Sequence, residues 1–211
     1  MDELRRHLEM EKLFGADFVP KSDAKPEGDF ESFRRQVLAC RACGLCETRT
    51  QVVFGAGTTS SPVVFVGEGP GREEDEQGVP FVGRAGQLLT KVMLKLGVRR
   101  EQVYIANVVK CRPPDNRVPT PEEARACMPY LLKQIKHIQP KAVCALGATA
   151  AKALLNTQKM AILSQRGKYV EINGMNVFLT LHPSYCLRNP GDTYMLEDDL
   201  RKLFKDVGLL A

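Results

Sequence analysis

Residues 63–89, VVFVGEGPGREEDEQGVPFVGRAGQLL, are the stretch that decides the fold of this chain. The stretch opens with four apolar residues, three of them β-branched, which predicts a strand buried on both faces. A glycine turn follows at 67–71, and the apolar spacing from Arg84 to Leu96 predicts a helix that ends at Gly97. We therefore predict a strand, a glycine turn, a long acidic loop and a helix. In an open parallel sheet, such a loop lies at the carboxyl end of the strand, where ligands bind.

The residues of this loop favour a planar, neutral ligand over a phosphate. Glycines allow backbone N–H groups to approach a ligand closely, and an aromatic ring, Phe81, follows Pro80. A phosphate-binding loop would carry Lys and Ser or Thr after its glycines. Here several carboxylates stand nearby instead, among them Glu68 and Glu74, and they would repel a phosphate. A glycine turn with a solvated acidic loop remains the alternative interpretation.

Composition limits the class of protein. A chain of 211 residues with 44% hydrophobic content can bury a sizeable core as one domain. No run approaches the roughly 18 apolar residues of a membrane span, and the N-terminal MDELRRHLEMEK lacks a signal-peptide core. We therefore expect a soluble, cytoplasmic protein with no membrane partner. We also expect it to be a monomer. The net charge of +5 permits a polyanionic partner without requiring one.

The order of the remaining segments predicts an α/β fold. Residues 1–29 are expected to form a short helix and a linker-like extension, and residues 30–211 a single globular domain. Helices alternate with strands, which predicts a three-layer α/β/α sandwich around a mostly parallel, four-stranded sheet. The further predicted strands are 103–109, 141–146 and a hairpin of 169–172 with 175–181; the further predicted helices include 30–39, 120–137 and 195–207.

Three polar side chains follow, or nearly follow, the ends of three different predicted strands. They are Glu68, Asn107 and His182. Because the carboxyl ends of parallel strands meet at one edge of a sheet, all three are expected to converge on a single crevice.

Seven cysteines in a chain without a secretion signal favour metal binding or catalysis over a disulfide framework. Cys40 and Cys43 form a CxxC pair, Cys111 follows the second strand and Cys127 lies in a predicted helix. Four thiolates from these segments could bind zinc or an iron–sulfur cluster, and the spacing does not distinguish the two. Cys46 is interpreted as a bystander.

Together these stretches resemble the iron–sulfur, or family-4, uracil-DNA glycosylases of bacteria and archaea. The similarity runs in the same order from about Phe33 to the final helix and excludes residues 1–29. The matching motifs are VGEGPGREED (66–75), GVPFVGRAGQLL (78–89), YIANVVKCRPPDNRVP (104–119), LGATAAKALL (146–155), RGKYVEI (166–172) and LHPSYCLRNP (181–190).

The resemblance implies an enzyme that binds a flipped deoxyuridine of single- or double-stranded DNA and releases its uracil. The backbone of Gly67–Gly69 would bind the uracil edge, Phe81 would stack on the ring, and Asn107 would pair with O4 and N3. Glu74 would lie beside C5, where the methyl group of thymine would clash. His182 would hydrogen-bond O2 and stabilise the departing anion.

The resemblance leaves the group that handles the attacking water open. Relatives outside this branch carry an aspartate where this chain has Gly69, so Glu68 and Glu74 are the candidates. A monofunctional enzyme is expected, because no lysine is evidently positioned as a nucleophile.

The resemblance also implies a [4Fe–4S] cluster on Cys40, Cys43, Cys111 and Cys127, and a DNA-facing surface. The loop His182-Pro183-Ser184 would enter the minor groove, and Leu187 or Arg188 would be the wedge. Several further side chains would contact the DNA backbone. The expected DNA-facing residues are Arg112, Asn116, Arg117, Arg166, Ser184, Leu187 and Arg188.

Two alternatives share much of this pattern. A protein that traps uracil-DNA covalently would carry an inserted basic loop with a reactive histidine, whereas residues 110–120 are short and contain no histidine. An iron–sulfur DNA-binding module without turnover is the second alternative, because Gly69 leaves the catalytic carboxylate uncertain.

Overall fold

The computed structural model of the chain describes residues 30–210. The predicted helix and linker of residues 1–29 lie outside the described residues. The strands are β1 (Ala56–Gly57), β2 (Val63–Gly67), β3 (Tyr104–Asn107), β4 (Ala142–Leu146), β5 (Tyr169–Ile172) and β6 (Met175–Thr180). The helices are α1 (Phe30–Leu38), α2 (Arg72–Gln77), α3 (Arg84–Lys95), α4 (Pro121–Ile138), α5 (Ala148–Leu154), α6 (Ile162–Gln165), α7 (Pro183–Arg188) and α8 (Thr193–Val207).

Within the described residues the strands form one sheet in the order β1-β3-β2-β4-β6-β5. The four inner strands are parallel, and β1 and β5 pair antiparallel at the two edges. The predicted α/β/α sandwich is therefore confirmed, but the sheet has six strands in this part of the chain rather than four. The second edge strand, β1, is only two residues long and includes a glycine, so no alternating pattern could reveal it.

Helices cover both faces of the sheet. Val64 and Val66 of β2 contribute to one hydrophobic core, which also contains residues of α1, α4 and α5. Val63 and Phe65 point to the other core, which is shared with α3 and α8. Because successive side chains of a strand alternate between faces, the unbroken apolar run of β2 serves both cores.

Helix α4 begins as its sequence indicates. The Thr120 hydroxyl accepts a hydrogen bond from the Glu123 N–H at 3.2 Å, and the Glu123 carboxylate accepts one from the Thr120 N–H at 2.8 Å. With Pro121 in the first helical position, this is the predicted capping box. The cap sets the position of Cys127 and of the residues that follow it on the same helix.

Two short helices were not predicted, one in the long acidic loop and one after His182. Residues 72–77 form α2, with acidic residues in the first turn, where they interact favourably with the helix dipole, and Gly78 in the left-handed conformation at the end. Residues 183–188 form α7, with Pro183 in its first turn and the His182 side chain accepting a hydrogen bond at the start. Both helices have six residues, which is too short for a periodic apolar pattern to identify them.

The chain order of the parallel strands creates the crevice. From β2 the chain moves outward to β3 on one side, and then returns to β4 and β6 on the other. Loops that leave neighbouring strands in opposite directions open a gap at the carboxyl ends of those strands. Glu68, Asn107 and His182 all lie at this edge of the sheet.

Arg166 was predicted to face DNA, but the structure gives it a partner inside the protein. Its guanidinium lies 2.8 Å from the Asp199 carboxylate of α8, and its side chain is 22% exposed and that of Asp199 5%. Asp199 also accepts a hydrogen bond from the buried Thr180 hydroxyl at 2.6 Å. Asp199 therefore joins α8 both to Arg166, at the end of α6, and to Thr180, at the end of β6.

We predict that Arg166→Gln lowers the free energy of unfolding by roughly 3 kcal/mol, because the substitution leaves the buried Asp199 carboxylate without its cation. Chemical denaturation measures this loss. Arg125→Gln is the matched control, because Arg125 pairs with Glu122 at 2.7 Å while both side chains are largely exposed. The control should lose about 0–1 kcal/mol. Equal losses in the two variants would contradict a structural role for Arg166.

Candidate active site and cysteine cluster

The crevice contains a buried amide that has no partner. Asn107 is the last residue of β3 and is paired in register with Gly67 of β2. Its side chain is 1% exposed, and neither its Oδ1 nor its Nδ2 makes a hydrogen bond within the described part of the chain. An unsatisfied buried polar group costs about 1–3 kcal/mol. The amide is therefore placed to offer one donor and one acceptor to a ligand.

The Phe81 ring lies close to this amide. A Cβ atom built on Gly67 would come within 2.5 Å of both the Phe81 Cζ atom and the Asn107 Oδ1 atom. Because real Cβ atoms do not tolerate such contacts, only glycine at position 67 lets the ring and the amide meet over the end of β2. The Phe81 ring centroid is 5.7 Å from that of His182, and the two planes are tilted by 41°.

His182 is held as a neutral imidazole with a defined tautomer. Its Nδ1 accepts a hydrogen bond from the Ser184 N–H at 3.1 Å and lies 2.7 Å from the Ser184 hydroxyl oxygen. Since Nδ1 accepts, the ring proton of the neutral form is on Nε2. Burial, with the charge of Arg188 adding to its effect, lowers the pKa of His182 to about 4. At neutral pH the ring therefore presents an N–H donor without a positive charge.

The two candidate carboxylates differ in what they bind. Both oxygens of Glu74 are occupied: Oε2 accepts from the Gly71 N–H at 3.0 Å, and Oε1 from the N–H groups of Val82 and Gly83, both at 2.9 Å. Glu74 thus ties the glycine turn to the segment that carries Phe81. The Glu68 side chain is half-buried and makes no hydrogen bond among residues 30–210, so its oxygens are available to a ligand or water.

These residues surround a crevice of about 950 Å³. This volume lies within the range of sites that enclose small ligands. Of the expected DNA-facing residues, six line the crevice and Arg166 does not: the six are Arg112, Asn116, Arg117, Ser184, Leu187 and Arg188. Two arginines that sequence reasoning missed, Arg72 and Arg84, also line it. The lining also includes Glu68, Glu73 and Glu74, and Arg117 pairs with Glu123 at 2.7 Å. The remaining guanidinium groups of the lining suit a polyanionic ligand.

The four expected ligand cysteines lie around one small cavity, together with Cys46. Protein donors contact three of the sulfurs. The Cys111 sulfur accepts from the Arg49 guanidinium at 3.1 Å, and the Cys127 sulfur from the Lys110 N–H at 3.2 Å. The Cys40 sulfur accepts from the Tyr130 hydroxyl at 3.2 Å and the Ala42 N–H at 3.3 Å. Donors of this kind stabilise thiolates that bind a metal centre.

Sequence reasoning could have found only part of this arrangement. Tyr130 follows Cys127 by three residues on a helix, so its position beside the cavity follows from helical spacing. No local signal marks Arg49. Although the cysteines share a cavity, no three metal-binding side chains within residues 30–210 are arranged so that together they could hold a metal ion.

A buried lysine connects the cysteine cavity to the crevice. Lys110 is 1% exposed, and its ammonium donates to the Asn107 carbonyl at 2.9 Å and to the Gln134 Oε1 atom at 2.6 Å. Gln134 in turn donates to the Phe54 carbonyl and the Tyr104 hydroxyl. Since the Lys110 N–H also contacts the Cys127 sulfur, one residue spans the two sites. Burial lowers the pKa of Lys110 to about 8.

Comparison with known proteins identifies the family. Residues 54–208 match the model of the uracil DNA glycosylase superfamily, and the chain belongs to this superfamily. It is 52% identical to a type-4 uracil-DNA glycosylase of Thermotoga maritima over 75% of this chain and 83% of the relative. It is 42% identical to the type-4 uracil-DNA glycosylase of Archaeoglobus fulgidus over 84% of this chain and 90% of the relative.

The chain is more similar to type-4 than to type-5 uracil-DNA glycosylases. Identity to a type-5 uracil-DNA glycosylase of Pyrobaculum aerophilum is 31%, over 88% of this chain and 96% of the relative. The resemblance to the type-4 branch that the sequence motifs indicated is thereby confirmed. Among residues 30–210, no helix has the length and apolar content needed to cross a bilayer.

The hydrogen bonds of His182 make its titration predictable. We expect ¹⁵N NMR to show Nε2 protonated at pH 7 and a protonation midpoint near pH 4, because burial disfavours the imidazolium. In the unfolded chain His182 titrates near pH 6.5. Between pH 4 and pH 6.5 the unfolded chain therefore binds more protons than the folded chain, so the free energy of unfolding rises with pH over this range. His182→Gln assigns the resonances. A midpoint near pH 6.5, or a proton on Nδ1, would contradict this arrangement.

Proposed function

We propose that this protein is a uracil-DNA glycosylase of DNA repair, which hydrolyses the N-glycosidic bond of deoxyuridine to release uracil and leave an abasic site. The observation that carries the proposal is the unpartnered, buried Asn107 amide beside an aromatic ring and a neutral imidazole donor. The names of the type-4 relatives support the same activity.

The Asn107 amide has the donor and acceptor that uracil requires. Its Nδ2–H would donate to O4, and its Oδ1 would accept from N3–H. Cytosine presents the opposite pattern at these two positions, so the amide would be left mispaired. The Phe81 ring would stack on the base, and the backbone of residues 67–69 would complete the contacts with its edge.

Glu74 is proposed to select the base by steric exclusion. Its carboxylate is held by three backbone N–H groups, so its side chain cannot move away from an incoming base without losing them. We propose that it lies beside C5 of the bound pyrimidine and excludes the methyl group of thymine.

The chemical step needs help on both sides of the bond that breaks. Negative charge develops on the departing uracil, and the His182 Nε2–H would stabilise it at O2. Positive charge develops on the sugar, where a water must attack. Of the two candidate carboxylates we assign the water to Glu68, because the oxygens of Glu74 already accept three hydrogen bonds.

The arginines around the crevice support binding to uracil-containing DNA, in single or double strands. They would contact phosphates while the deoxyuridine is flipped into the crevice, with Leu187 or Arg188 as the wedge. We propose a monofunctional enzyme that acts as a monomer. All seven cysteines are free, which is consistent with a reducing compartment and supports the proposed cytoplasmic location.

We propose that Cys40, Cys43, Cys111 and Cys127 hold a [4Fe–4S] cluster. Their common cavity and the donors that contact three of the sulfurs support this ligand set. When bound, the cluster would contribute structure by joining α1 and α4 to the segment after β3. Through Lys110, that segment supports the carbonyl of Asn107.

Excision can be measured directly with a uracil-containing oligonucleotide. We expect alkali-labile abasic sites with the wild-type protein and none on the matched thymine oligonucleotide. Asn107→Ala and His182→Ala should each lower the rate of release about 10²–10³-fold, the usual effect of removing one preorganised donor. Intact DNA at stoichiometric wild-type enzyme would overturn the proposal. An adduct resistant to denaturation would favour a trapping protein instead.

The cysteine assignment has its own test. The wild-type protein, purified without oxygen, should be brown and absorb near 400 nm, and a Ser substitution at Cys40, Cys43, Cys111 or Cys127 should lower its iron content and colour. Cys46→Ser is the matched control, because Cys46 lines the same cavity and should leave both unchanged. A colourless wild type that contains zinc would refute the cluster.

A further inference from the structure

Phe81 has a backbone conformation that a residue with a side chain rarely adopts. Its φ is +53°, in the left-handed region that costs an L residue roughly 1–3 kcal/mol. Such a conformation persists only where surrounding groups hold it. The groups that hold Phe81 therefore set the position of the ring that the proposed function assigns to stacking.

Arg100 contacts the carbonyl side of this segment. Its guanidinium Nη1 donates to the Phe81 carbonyl at 2.7 Å, and its Nη2 donates to the Pro80 carbonyl. Within the described residues no carboxylate lies at ion-pair distance from this half-buried arginine. Its planar pair of donors is thus committed to two consecutive carbonyls, and hydrogen bonds from a charged donor are about twice as strong as neutral ones.

Two other residues also hold this segment. The Glu74 carboxylate accepts hydrogen bonds from the N–H groups of Val82 and Gly83. Gly86, in the first turn of α3, lies so close that an added Cβ would be 2.0 Å from the Phe81 carbonyl oxygen. Consecutive peptide groups from Pro80 to Gly83 are therefore fixed between one cation and one anion.

Arg100 does this without lining the crevice. It lies in a groove on the outer side of Phe81, with Lys91 and Leu94 among its neighbours, and is absent from the residues that line the crevice. It also precedes β3, the strand that ends at Asn107. Because its guanidinium bonds the carbonyls of Pro80 and Phe81, we expect an effect of Arg100 on the reaction to pass through the position of Phe81.

We propose that Arg100 is a positioning residue that holds the Phe81 ring in place for stacking on the extruded pyrimidine. This inference rests on the proposed function. Arg100 fixes the left-handed backbone at Phe81, and this backbone directs the ring over Gly67 and towards His182. Losing the guanidinium would let residue 81 relax towards an ordinary conformation and displace the ring, and a shift of about 1 Å in a positioning group can cost 10²-fold in rate.

The test is a double-mutant cycle of Arg100→Gln and Phe81→Ala, measured by kcat/KM on a uracil-containing oligonucleotide. We expect Arg100→Gln to lower kcat/KM by about 10–100-fold in the wild-type background and by less than about 2-fold in the Phe81→Ala background, because the ring through which it acts is then absent. Arg99→Gln is the matched control, since Arg99 is the exposed neighbour and bonds Gln102 through its backbone N–H and carbonyl. It should change nothing.

A second measurement does not depend on turnover. The ring protons of His182 lie beside the Phe81 ring, so their NMR shifts report its position. In Arg100→Gln these shifts should move towards those of Phe81→Ala, whereas Arg99→Gln should leave them unchanged. If the wild type released no uracil, the proposed function would fail, while these shifts would still test whether Arg100 holds the ring.

Three results would overturn the inference. Arg100→Gln could show wild-type kcat/KM and wild-type His182 shifts, or its loss of kcat/KM could add fully to that of Phe81→Ala. Arg100→Gln could also lower Tm without changing kcat/KM or the His182 shifts. If Arg100→Gln does not fold, Arg100→Lys replaces it. Lysine keeps the charge but cannot span two carbonyls with a planar pair of donors, so it should give an intermediate loss and an intermediate shift. A wild-type result for Arg100→Lys would also overturn the inference.

Discussion

The parallel pairing of Gly67 with Asn107 is the constraint on which the rest of the site depends. It places a residue without a side chain directly beside a carboxamide, at the point where both strands end. The space above Gly67 is then open to the Phe81 ring, which approaches from a different segment. Because β4 and β6 continue the same parallel sheet on the other side, His182 reaches this space as well.

Two groups that line the crevice carry an energetic cost, and groups around them stabilise the arrangement. Asn107 keeps a buried donor and a buried acceptor unsatisfied, and Phe81 keeps an unfavourable backbone angle. Both costs are offset nearby, by Glu74 and Arg100 around the Phe81 segment and by Lys110 at the Asn107 carbonyl. Preorganised polar groups of this kind accelerate reactions because they need not rearrange when charge develops.

The cysteine cavity and the crevice are parts of one structure. Asn107 ends β3, and Lys110 and Cys111 follow it within the five residues 107–111, so whatever anchors Cys111 also anchors the amide. Lys110 connects the two sites directly, because its ammonium donates to the Asn107 carbonyl and its backbone N–H donates to the Cys127 sulfur. A cluster held by these cysteines, as proposed above, would therefore support the position of the amide through Lys110.

The sequence by itself determined the features that depend on near neighbours in the chain. The apolar run of β2, the capping box at Thr120 and the strand-end positions of Asn107 and His182 all follow from local pattern, and the motifs pointed to the family. Tertiary structure alone decided the roles that depend on partners far away: Asp199 is 33 residues from Arg166, and Arg100 is 19 residues from Phe81. It also showed that Glu74, a catalytic candidate by sequence, bonds three backbone N–H groups. The physical reason is that a charged side chain has the same sequence signature whether it faces solvent, a substrate or a carbonyl, and only the folded chain selects its partner.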